Sequence, residues 1–205
     1  MNSRLSLVFA AAGMSNRMGV QKQLMRLSDG RSLAEFSLAN YLKIGFSEIK
    51  AVIGSSRTEV EGALSRFDDP RISFIFNPDY EKGLGTSVAA GVRALSEDSD
   101  GCMIALADMP YVTSSMLESL VSCWEKDIKK IAAPCFEGRR GNPVIFPKSC
   151  FEELACLSGD RGGASVIKSR PELLYLAEMD DGGFLKDIDF LDEWHIFEDY
   201  AESRQ

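Results

Sequence analysis

An apolar strand near the N-terminus runs directly into a loop of small residues, and this junction limits what the chain can become. The strand spans Leu5–Ala10, and two glycines, a serine and two cations follow it: Gly13, Gly19, Ser15, Arg17 and Lys22. Small residues allow backbone N–H groups to approach an anionic ligand, and concave arrays of such amides bind phosphate. An arginine grips phosphate oxygens through its planar fork, and a lysine adds a compact point charge. The junction therefore predicts a triphosphate site at the end of the first strand.

Neither of the two best-known phosphate-loop patterns fits this loop. The P-loop pattern G-x-x-x-x-G-K-[ST] places its lysine directly after the second glycine, whereas here Lys22 comes three residues after Gly19. The dinucleotide pattern G-x-G-x-x-G is broken because Ser15 stands where its second glycine belongs. A tight turn between strand and helix would explain the glycines, but it would not explain Arg17 and Lys22 together.

Composition and charge are typical of a soluble globular chain and exclude several classes of protein. Of the 205 residues, 45% are hydrophobic and 26% are charged, and no apolar run approaches the roughly 18 residues that span a bilayer. The formal net charge of −8 argues against a nucleic-acid-binding surface. The first residues lack the apolar core and cleavage site of a secretory signal, so we expect a cytoplasmic location.

The cysteines and the single histidine argue against a zinc site. The five cysteines form no C-x-x-C pair, and His195 is far from all of them in sequence. We expect reduced and mostly buried cysteines, and we expect His195 to lie in a C-terminal helix with a structural or solvent-facing role.

Apolar runs alternate with amphipathic stretches, which predicts a mostly parallel sheet covered by helices. The predicted strands are Leu5–Ala10, Ile49–Ile53, Ile72–Phe76, Gly101–Leu106, Lys130–Ala133, Leu173–Leu176 and Leu185–Ile188. The predicted helices are Ser32–Ile44, Thr58–Phe67, Gly83–Leu95, Thr113–Trp124, Ser149–Leu157, a short one ending at Ser169 and a last one from Leu191. We expect a single Rossmann-like three-layer α/β/α domain over residues 1–205, with an elaboration at 134–190.

Small or polar residues lie just past three predicted strand ends, where ligands bind in open α/β sheets. Gly13, Asn77 and Asp108 can therefore share one crevice. Asp108 follows the most apolar strand, where an acid is costly without a partner, and Mg²⁺ is a natural partner. The alternative is a helix N-cap, a role that Thr113 suits better.

Two further carboxylates lie late in the chain. The alternation in Lys186-Asp187-Ile188-Asp189 places Asp187 and Asp189 on one face of a strand, with Ile188 on the other. These acids are candidates to complete a metal site with Asp108. The alternative is a solvated acidic strand end.

Three loops have the composition of ligand contacts. The helix start at Gly83–Ser87 combines glycines with hydroxyls, so its free N–H donors could bind a ribose or a base, although a plain cap explains the hydroxyls as well. The turn Arg139-Arg140-Gly141-Asn142 pairs two cations, which suits a second phosphorylated ligand. The loop Gly159–Ala164 adds glycines and charges, and both loops could also be exposed turns.

In their order and amino-acid sequence these motifs resemble those of the MobA/MocA-like nucleotidyltransferases, which load molybdopterin with a nucleotide. The first loop matches the pattern L-A-A-G-x-S-x-R-M-G-x-x-K at Gly13, Ser15, Arg17, Met18, Gly19 and Lys22, after Ala11 and Ala12. Ala107-Asp108-Met109-Pro110 is similar to the metal-binding turn of that family, and Arg140–Val144 and Gly159–Gly162 resemble its cytidylyl branch. The resemblance covers residues 7 to about 192.

The resemblance implies a Mg²⁺-dependent transfer of a nucleoside monophosphate from a nucleoside triphosphate, CTP favoured, to a molybdopterin-type phosphorylated acceptor. Pyrophosphate is released, and a molybdoenzyme or its chaperone is a further partner. The implied catalytic residues are Lys22, Arg17 and Asp108, and the metal ligands are Asp108 and Asp187. The implied nucleotide-binding residues are Ala11, Ala12, Gly13, Ser15, Arg17, Lys22, Asn77, Gly83 and Ser87. The implied acceptor-binding residues are Arg140, Gly141, Asn142 and Asp160. The nucleotide-binding half of the domain would then be residues 1 to about 110, and the acceptor-binding part would be the elaboration at 134–190.

Two departures from the family pattern leave alternatives open. The family's Thr-Pro helix start is absent after Asp189, which leaves the second metal ligand open between Asp187 and Asp189. Gly163-Ala164-Ser165 replaces an Ala-Arg ending, which removes one arginine from the acceptor loop. A guanylyl or sugar-1-phosphate nucleotidyltransferase remains an alternative, as do a nicotinamide-dependent oxidoreductase and a non-catalytic nucleotide-binding partner of a molybdoenzyme.

Overall fold

The computed structural model of the chain describes residues 3–13 and 21–202. The sequence predictions for Ser15 and Arg17 therefore lie outside the described residues. The strands are β1 (Leu5–Ala11), β2 (Ile49–Ile53), β3 (Ile72–Phe76), β4 (Gly101–Leu106), β5 (Ile131–Phe136), β6 (Arg139–Arg140), β7 (Val144–Pro147) and β8 (Leu174–Glu178). The helices are α1 (Leu33–Tyr41), α2 (Arg57–Leu64), α3 (Leu84–Arg93), α4 (Ser114–Glu125), α5 (Phe151–Ala155), α6 (Ala164–Ser169) and α7 (Leu191–Glu202).

The strands form one mostly parallel sheet in the order β3-β2-β1-β4-β7-β5-β6, and β8 pairs with β5. β1 lies between β2 and β4, is parallel to both, and is buried along its whole length. This burial explains its nearly continuous apolar sequence, because a strand covered on both faces has no solvent-facing side. β7 is antiparallel to β4 and to β5. The predicted α/β fold class is confirmed.

Helices cover both faces of the sheet, and each face has its own apolar core. Residues of α1, α2 and α4 pack on one face, and residues of α3, α5 and α6 pack on the other. A third cluster joins α7 to the start of α1 through Leu33, Ile188, Trp194 and Phe197. Ser32 and Glu35 form a capping box at α1, and Thr113 caps α4 as its sequence predicts. Within residues 3–13 and 21–202, no helix combines the length and the apolar character that crossing a membrane would require.

The predicted strand at Leu185–Ile188 is wrong. Residues Gly183–Leu185 form a 3₁₀ turn, and residues 186–190 form no strand. The backbone N–H of Ile188 instead donates to the carbonyl of Asp108 at 3.0 Å, so the segment runs beside the turn after β4. The helix predicted at Ser149–Leu157 is also shorter, with only Phe151–Ala155 in α-helix.

Candidate functional site

Residues that are distant in sequence meet at the carboxyl end of β1 and β4. Because these strands are parallel neighbours, the segments that follow them emerge side by side. Lys22 lies in a short 3₁₀ turn after β1, and Asp108 lies in the turn after β4. Lys22 Nζ is 2.6 Å from Asp108 Oδ2 and 2.8 Å from Asp189 Oδ1. The ammonium of Lys22 therefore bridges two carboxylates.

Lys22 is 8% exposed, and its environment keeps it charged. Burial by itself lowers the pKa of the ammonium, but the charges and hydrogen bonds of Asp108 and Asp189 outweigh burial, and the pKa is raised. A lysine held in this way is a permanent cation that can act on a phosphate without first acquiring a proton.

Asp108 has one carboxylate oxygen with a partner and one without. Oδ2 contacts Lys22, whereas Oδ1 is buried and has no hydrogen-bond partner among the described residues. A buried carboxylate oxygen without a partner is unfavourable, so this atom points to a ligand. Carboxylate oxygen is the donor type that Mg²⁺ prefers.

Asp187 adds further negative charge to this site. The pKa of its carboxyl is raised by desolvation and by the negative charges of Asp108 and Asp189. Asp108 and Asp189 contact Lys22, and the charge of Asp187 interacts with all three groups, so negative charge is in excess. No group of three or more His, Cys, Asp or Glu side chains in the described part of the chain could hold a metal ion by itself. This arrangement suits Mg²⁺, which usually takes one or two protein carboxylates together with substrate phosphates and water.

The predicted alternation of Asp187 and Asp189 holds although the predicted strand does not form. Ile188 is fully buried in the third cluster. Asp189 lies on the side of Lys22, and the backbone N–H groups of Asp189 and Phe190 donate to Glu193 Oε2 at 2.6 and 2.9 Å. Glu193, in the first turn of α7, thus reaches back to the backbone at the helix start, which is the half of a capping box that a glutamate supplies.

The described part of the N-terminal loop is closely packed. Ala11 and Ala12 are buried, and the carbonyl of Gly13 accepts hydrogen bonds from Gln23 Nε2 at 3.0 Å and from Ser55 Oγ at 3.2 Å. A methyl group at Gly13 would lie 2.8 Å from Gln23 Nε2, so the Gln23 side chain would have to move to accept it.

The helix start at Gly83–Ser87 is held by internal contacts. Asn77 Nδ2 donates to the hydroxyls of Thr86 at 2.9 Å and Ser87 at 3.0 Å, and both Asn77 and Ser87 are buried. The expectation of free N–H donors here is wrong for Gly85, whose N–H donates to the carbonyl of Gly159 at 2.7 Å. The packing of the 158–160 loop against α3 is the cause, and it requires glycine at both Gly83 and Gly85.

The two predicted acceptor loops meet in one cavity of about 150 Å³, which we call the front cavity. It lies on the sheet face covered by α3 and α6. Its polar rim comes from both loops and includes Arg140, Gly141, Asn142, Arg161 and Gly162. Its walls are apolar: Leu84, Val88, Ile104, Leu106, Val144, Phe146 and Ile167. An anionic group at the rim and an apolar body inside would suit this lining.

The structure corrects two details of the acceptor prediction. Arg139 and Arg140 do not act as a pair, because adjacent residues of β6 point to opposite sides and only Arg140 lines the front cavity. Asp160 lies against Gly83, whereas Arg161 lines the cavity. Sequence reasoning assigned the acid of this loop and missed the arginine beside it.

Sequence reasoning also missed Phe184, which links the acceptor turn to the acidic segment. Phe184 is buried and packs against Gly141 so closely that a methyl group at Gly141 would overlap it. The backbone N–H of Asn142 donates to the Phe184 carbonyl at 3.3 Å. The segment that carries Asp187 therefore also supports the acceptor turn. The only signal for this in the sequence is an aromatic residue after two glycines.

The chain is similar to several known proteins. Residues 7–173 match the family model described as MobA-like NTP transferase domain. The chain is 33% identical over 195 residues to purine catabolism protein PucB of Bacillus subtilis (strain 168), which covers 92% of this chain and 93% of PucB. It is 28% identical over 196 residues to molybdenum cofactor cytidylyltransferase of Escherichia coli (strain K12), with 94% of each chain covered. It is 26% identical over 194 residues to nicotine blue oxidoreductase of Paenarthrobacter nicotinovorans, covering 92% and 93%.

Solved structures share the fold. A mycobacterial homologue of Rv0371c, from Mycobacterium sp. strain JC1, superposes with a TM-score of 0.85 at 25% identity, covering 100% of both chains. Rv0371c of Mycobacterium tuberculosis in complex with manganese has a TM-score of 0.79 at 20% identity, covering 97% of this chain and 100% of that one.

Proposed function

Because the chain belongs to the MobA-like NTP transferase domain family and is a nucleotidyltransferase, we propose that it transfers a nucleoside monophosphate to a molybdopterin-type phosphorylated acceptor. We propose CTP as the favoured donor and the cytoplasm as the location. The observation that carries the proposal is the buried ammonium of Lys22, held between Asp108 and Asp189 beside a carboxylate oxygen that has no partner in the described residues.

The proposed reaction is an in-line displacement at the α-phosphorus. A phosphate oxygen of the acceptor forms a bond to this phosphorus, and the bond from it to the oxygen of the leaving pyrophosphate breaks. Such a transfer depends on positioning and on neutralising phosphate charge more than on a protein nucleophile. The site accordingly offers cations and carboxylates at the end of the sheet, and its single lysine is already protonated.

Lys22 would donate to oxygens of the triphosphate, with Asp108 and Asp189 holding its side chain in place. Arg17, outside the described residues, would add a second cation to the pyrophosphate group. The backbone of Ala11, Ala12 and Gly13 would contact the base and the ribose. Asn77, Gly83 and Ser87 would shape the wall of this site through the contacts that hold α3 to the loop after β3.

The family is typically dependent on a divalent metal, and we propose Mg²⁺ for this chain. The residues fit a hard divalent cation, because Asp108 Oδ1 is buried without a partner in the described residues and Asp187 lies in a field of negative charge. Asp108 and Asp187 would hold the metal, which supplies charge neutralisation for the triphosphate when bound. Asp189 would act indirectly, by positioning Lys22.

The front cavity would bind the acceptor. Arg140 and Arg161 would take its anionic group, Asn142 would add a hydrogen bond, and the apolar walls would hold its body. Asp160 would support the loop rather than touch the acceptor. A molybdoenzyme or its chaperone would receive the product.

A second candidate activity is supported by one observation. The relative named nicotine blue oxidoreductase covers nearly the whole chain at 26% identity, which keeps an oxidoreductase among the alternatives. A guanylyl or sugar-1-phosphate transferase would use the same carboxylates and differ only in its base and acceptor contacts.

The first experiment is a thermal-shift titration with CTP, GTP, ATP, UTP and NADH, each with and without Mg²⁺. Binding to the native state raises the unfolding temperature by mass action. We expect a Mg²⁺-dependent shift with one triphosphate. A shift with NADH alone that ignores Mg²⁺ would support the oxidoreductase instead.

Pyrophosphate release then tests the mechanism. Lys22→Ala should lower turnover about 10²- to 10³-fold, as expected for the loss of one preorganised charge at a developing anion. Lys126→Ala is a matched control, because Lys126 is exposed at the far end of α4. Near-normal turnover of Lys22→Ala with the active triphosphate would refute the role proposed for this residue.

A further inference from the structure

A second cavity, of about 570 Å³, lies on the opposite side of β6 from the front cavity, and we call it the rear cavity. Its lining includes side chains from four parts of the fold: Tyr111, Thr113, Phe136, Arg139, Lys186 and Tyr200. Within the described part of the chain, the residues proposed for nucleotide, metal and acceptor do not line it. The rear cavity is therefore separate from the proposed transfer site.

Aromatic rings form a platform in the rear cavity. The ring centroids of Tyr111 and Tyr200 are 4.9 Å apart, and Tyr111 also packs edge-on against Phe197 at 5.4 Å. Phe136 adds a third ring to the lining, from the end of β5. Rings braced by their neighbours lose little freedom when a ligand binds, so they favour stacking with a planar ring.

Two cations converge on this platform. Arg139 lies opposite Phe136 in the β5–β6 pairing, which fixes its backbone, and Lys186 Nζ is 5.4 Å from the centre of the Tyr111 ring. Neither cation forms a salt bridge with a carboxylate of residues 3–13 or 21–202. This is notable in a chain with 31 acidic and 23 basic residues, because carboxylates are in excess.

Two carboxylates, Glu137 and Asp181, also line the rear cavity. Asp181 Oδ1 accepts a hydrogen bond from the Gly183 N–H at 2.7 Å, so this acid is engaged in its own turn. Glu137 lies at the hairpin turn with a φ of 50° and is exposed. The lining therefore carries two cations and two carboxylates, and Arg139 and Lys186 form no salt bridge with either acid.

We propose that the rear cavity binds a small ligand with a planar aromatic ring and one anionic group. The ring packs on Tyr111 and Tyr200, and Arg139 and Lys186 hold the anion. Charge-assisted contacts of this kind, with a ring on an aromatic face, favour an aromatic carboxylate or sulfonate over a neutral molecule of the same shape.

An occupant of the rear cavity would also contact the segment that supports the transfer site. Gly182, Gly183, Leu185 and Lys186 line the cavity, and Asp187 follows directly. Phe184, within the same segment, packs beneath Gly141 of the acceptor turn. The ligand therefore acts as an effector of turnover; this effect rests on the proposed function, whereas the binding itself does not.

Calorimetric titration with 2-naphthoate tests the proposal, with the neutral amide 2-naphthamide as an isosteric probe. We expect one molecule of 2-naphthoate to bind per chain, and the amide to bind about tenfold more weakly because it lacks the charge. Arg139→Ala and Lys186→Ala should each weaken 2-naphthoate binding about five- to tenfold. Arg140→Ala is the matched control, because its side chain leaves the same strand toward the front cavity, and it should leave the affinity unchanged.

Turnover provides an independent second readout. Arg139→Ala should keep basal pyrophosphate release, whereas Arg140→Ala should lower it by weakening acceptor binding. Equal affinity for the acid and the amide would overturn the proposal. So would unchanged binding in Arg139→Ala, loss of binding in Arg140→Ala, or an absence of 2-naphthoate binding. Failure of the proposed function would appear as wild-type protein without pyrophosphate release, and the titration would be unaffected.

Discussion

At the two ends of the parallel strands, partly buried carboxylates have different partners. At the amino end, Glu48 precedes β2 and receives hydrogen bonds from Ser6 Oγ and Ser99 Oγ at 3.1 Å each and from the Ser96 N–H at 2.7 Å. Lys50 Nζ lies 2.8 Å from its other oxygen. Both oxygens of Glu48 therefore have partners from the protein.

At the carboxyl end, Asp108 is not satisfied in this way. Asp108 shares Lys22 with Asp189, and its second oxygen has no partner in the described residues. The pKa shifts at the two ends have opposite directions. Desolvation, the largest single influence, raises the pKa of Glu48, but hydrogen bonds and the charge of Lys50 outweigh it and the pKa is lowered. The pKa of Asp187 is raised by desolvation and by the neighbouring acids. A carboxylate with protein partners at both oxygens stabilises the fold, whereas Asp108 Oδ1, which has no partner in the described residues, is available to a ligand.

The largest expected effect is a loss of activity on substitution of an acid at the carboxyl end of the strands. Asp108→Asn should lower pyrophosphate release about 10³-fold while the protein stays folded, because the substitution keeps the shape of the side chain and removes its charge. Circular dichroism would verify the fold, and Asp199→Asn is a control on an exposed face of α7. Turnover within tenfold of wild type would show that Asp108 is not needed at the site.

An intermediate effect is expected at the contact between the acceptor turn, which contains Gly141, and the segment that contains Phe184. Gly141→Ala should displace Phe184, because the new methyl group would overlap its ring, and overpacking of this kind costs about 1–3 kcal/mol. We expect a higher KM for the acceptor and a lower unfolding temperature, with the CTP-induced thermal shift preserved. Gly45→Ala is a matched control, since a methyl group there would meet open space. Unchanged acceptor kinetics in Gly141→Ala would show that the acceptor turn does not depend on Phe184.

The smallest expected effect is at the amino end and concerns stability alone. Glu48→Gln should lower the free energy of unfolding at pH 7 by about 1–2 kcal/mol without changing turnover, because it weakens charge-assisted hydrogen bonds. Denaturant titration of this variant, with Glu118→Gln on the exposed face of α4 as control, would measure the difference.

The pH dependence of that difference follows from the lowered pKa of Glu48. Because the pKa is lower in the folded state than its usual value of 4.5, ionised Glu48 stabilises the fold above pH 4.5. This contribution is lost as the pH falls through the folded pKa. Wild type and Glu48→Gln should therefore converge in stability in acid, and a constant gap down to pH 2 would contradict the assignment.

Much of the fold follows from local patterns. β1, β2, β3 and β4 were predicted within one residue because apolar runs bounded by polar turns are typical of buried strands. The starts of α1 and α4 follow from Ser32 and Thr113, which cap their helices as the sequence indicates. The exception, residues 185–188, has an alternating pattern that fits a strand, but it lies beside the turn after β4 and pairs with no strand in the described part of the chain.

The site was only partly predictable. Lys22 and Asp108 were identified from their motifs, but their contact and the bridge to Asp189 depend on how the chain folds across more than 80 residues. The sequence also suggested that Arg139 and Arg140 act together, whereas the pairing of β6 directs them into different cavities. The spacing of residues in a loop does not indicate which side chains face a common space.

The sequence by itself therefore determined the α/β class, the order of most strands and helices, and the residues that carry charge at the strand ends. These depend on apolar periodicity, helix caps and turn residues, which act over a few neighbouring positions. Only the tertiary structure decided that Lys22 bridges Asp108 and Asp189, that Phe184 supports Gly141, and that Arg161 rather than Asp160 lines the front cavity. The physical reason is that strand order and close packing place these groups together, and both depend on contacts between residues far apart in the chain.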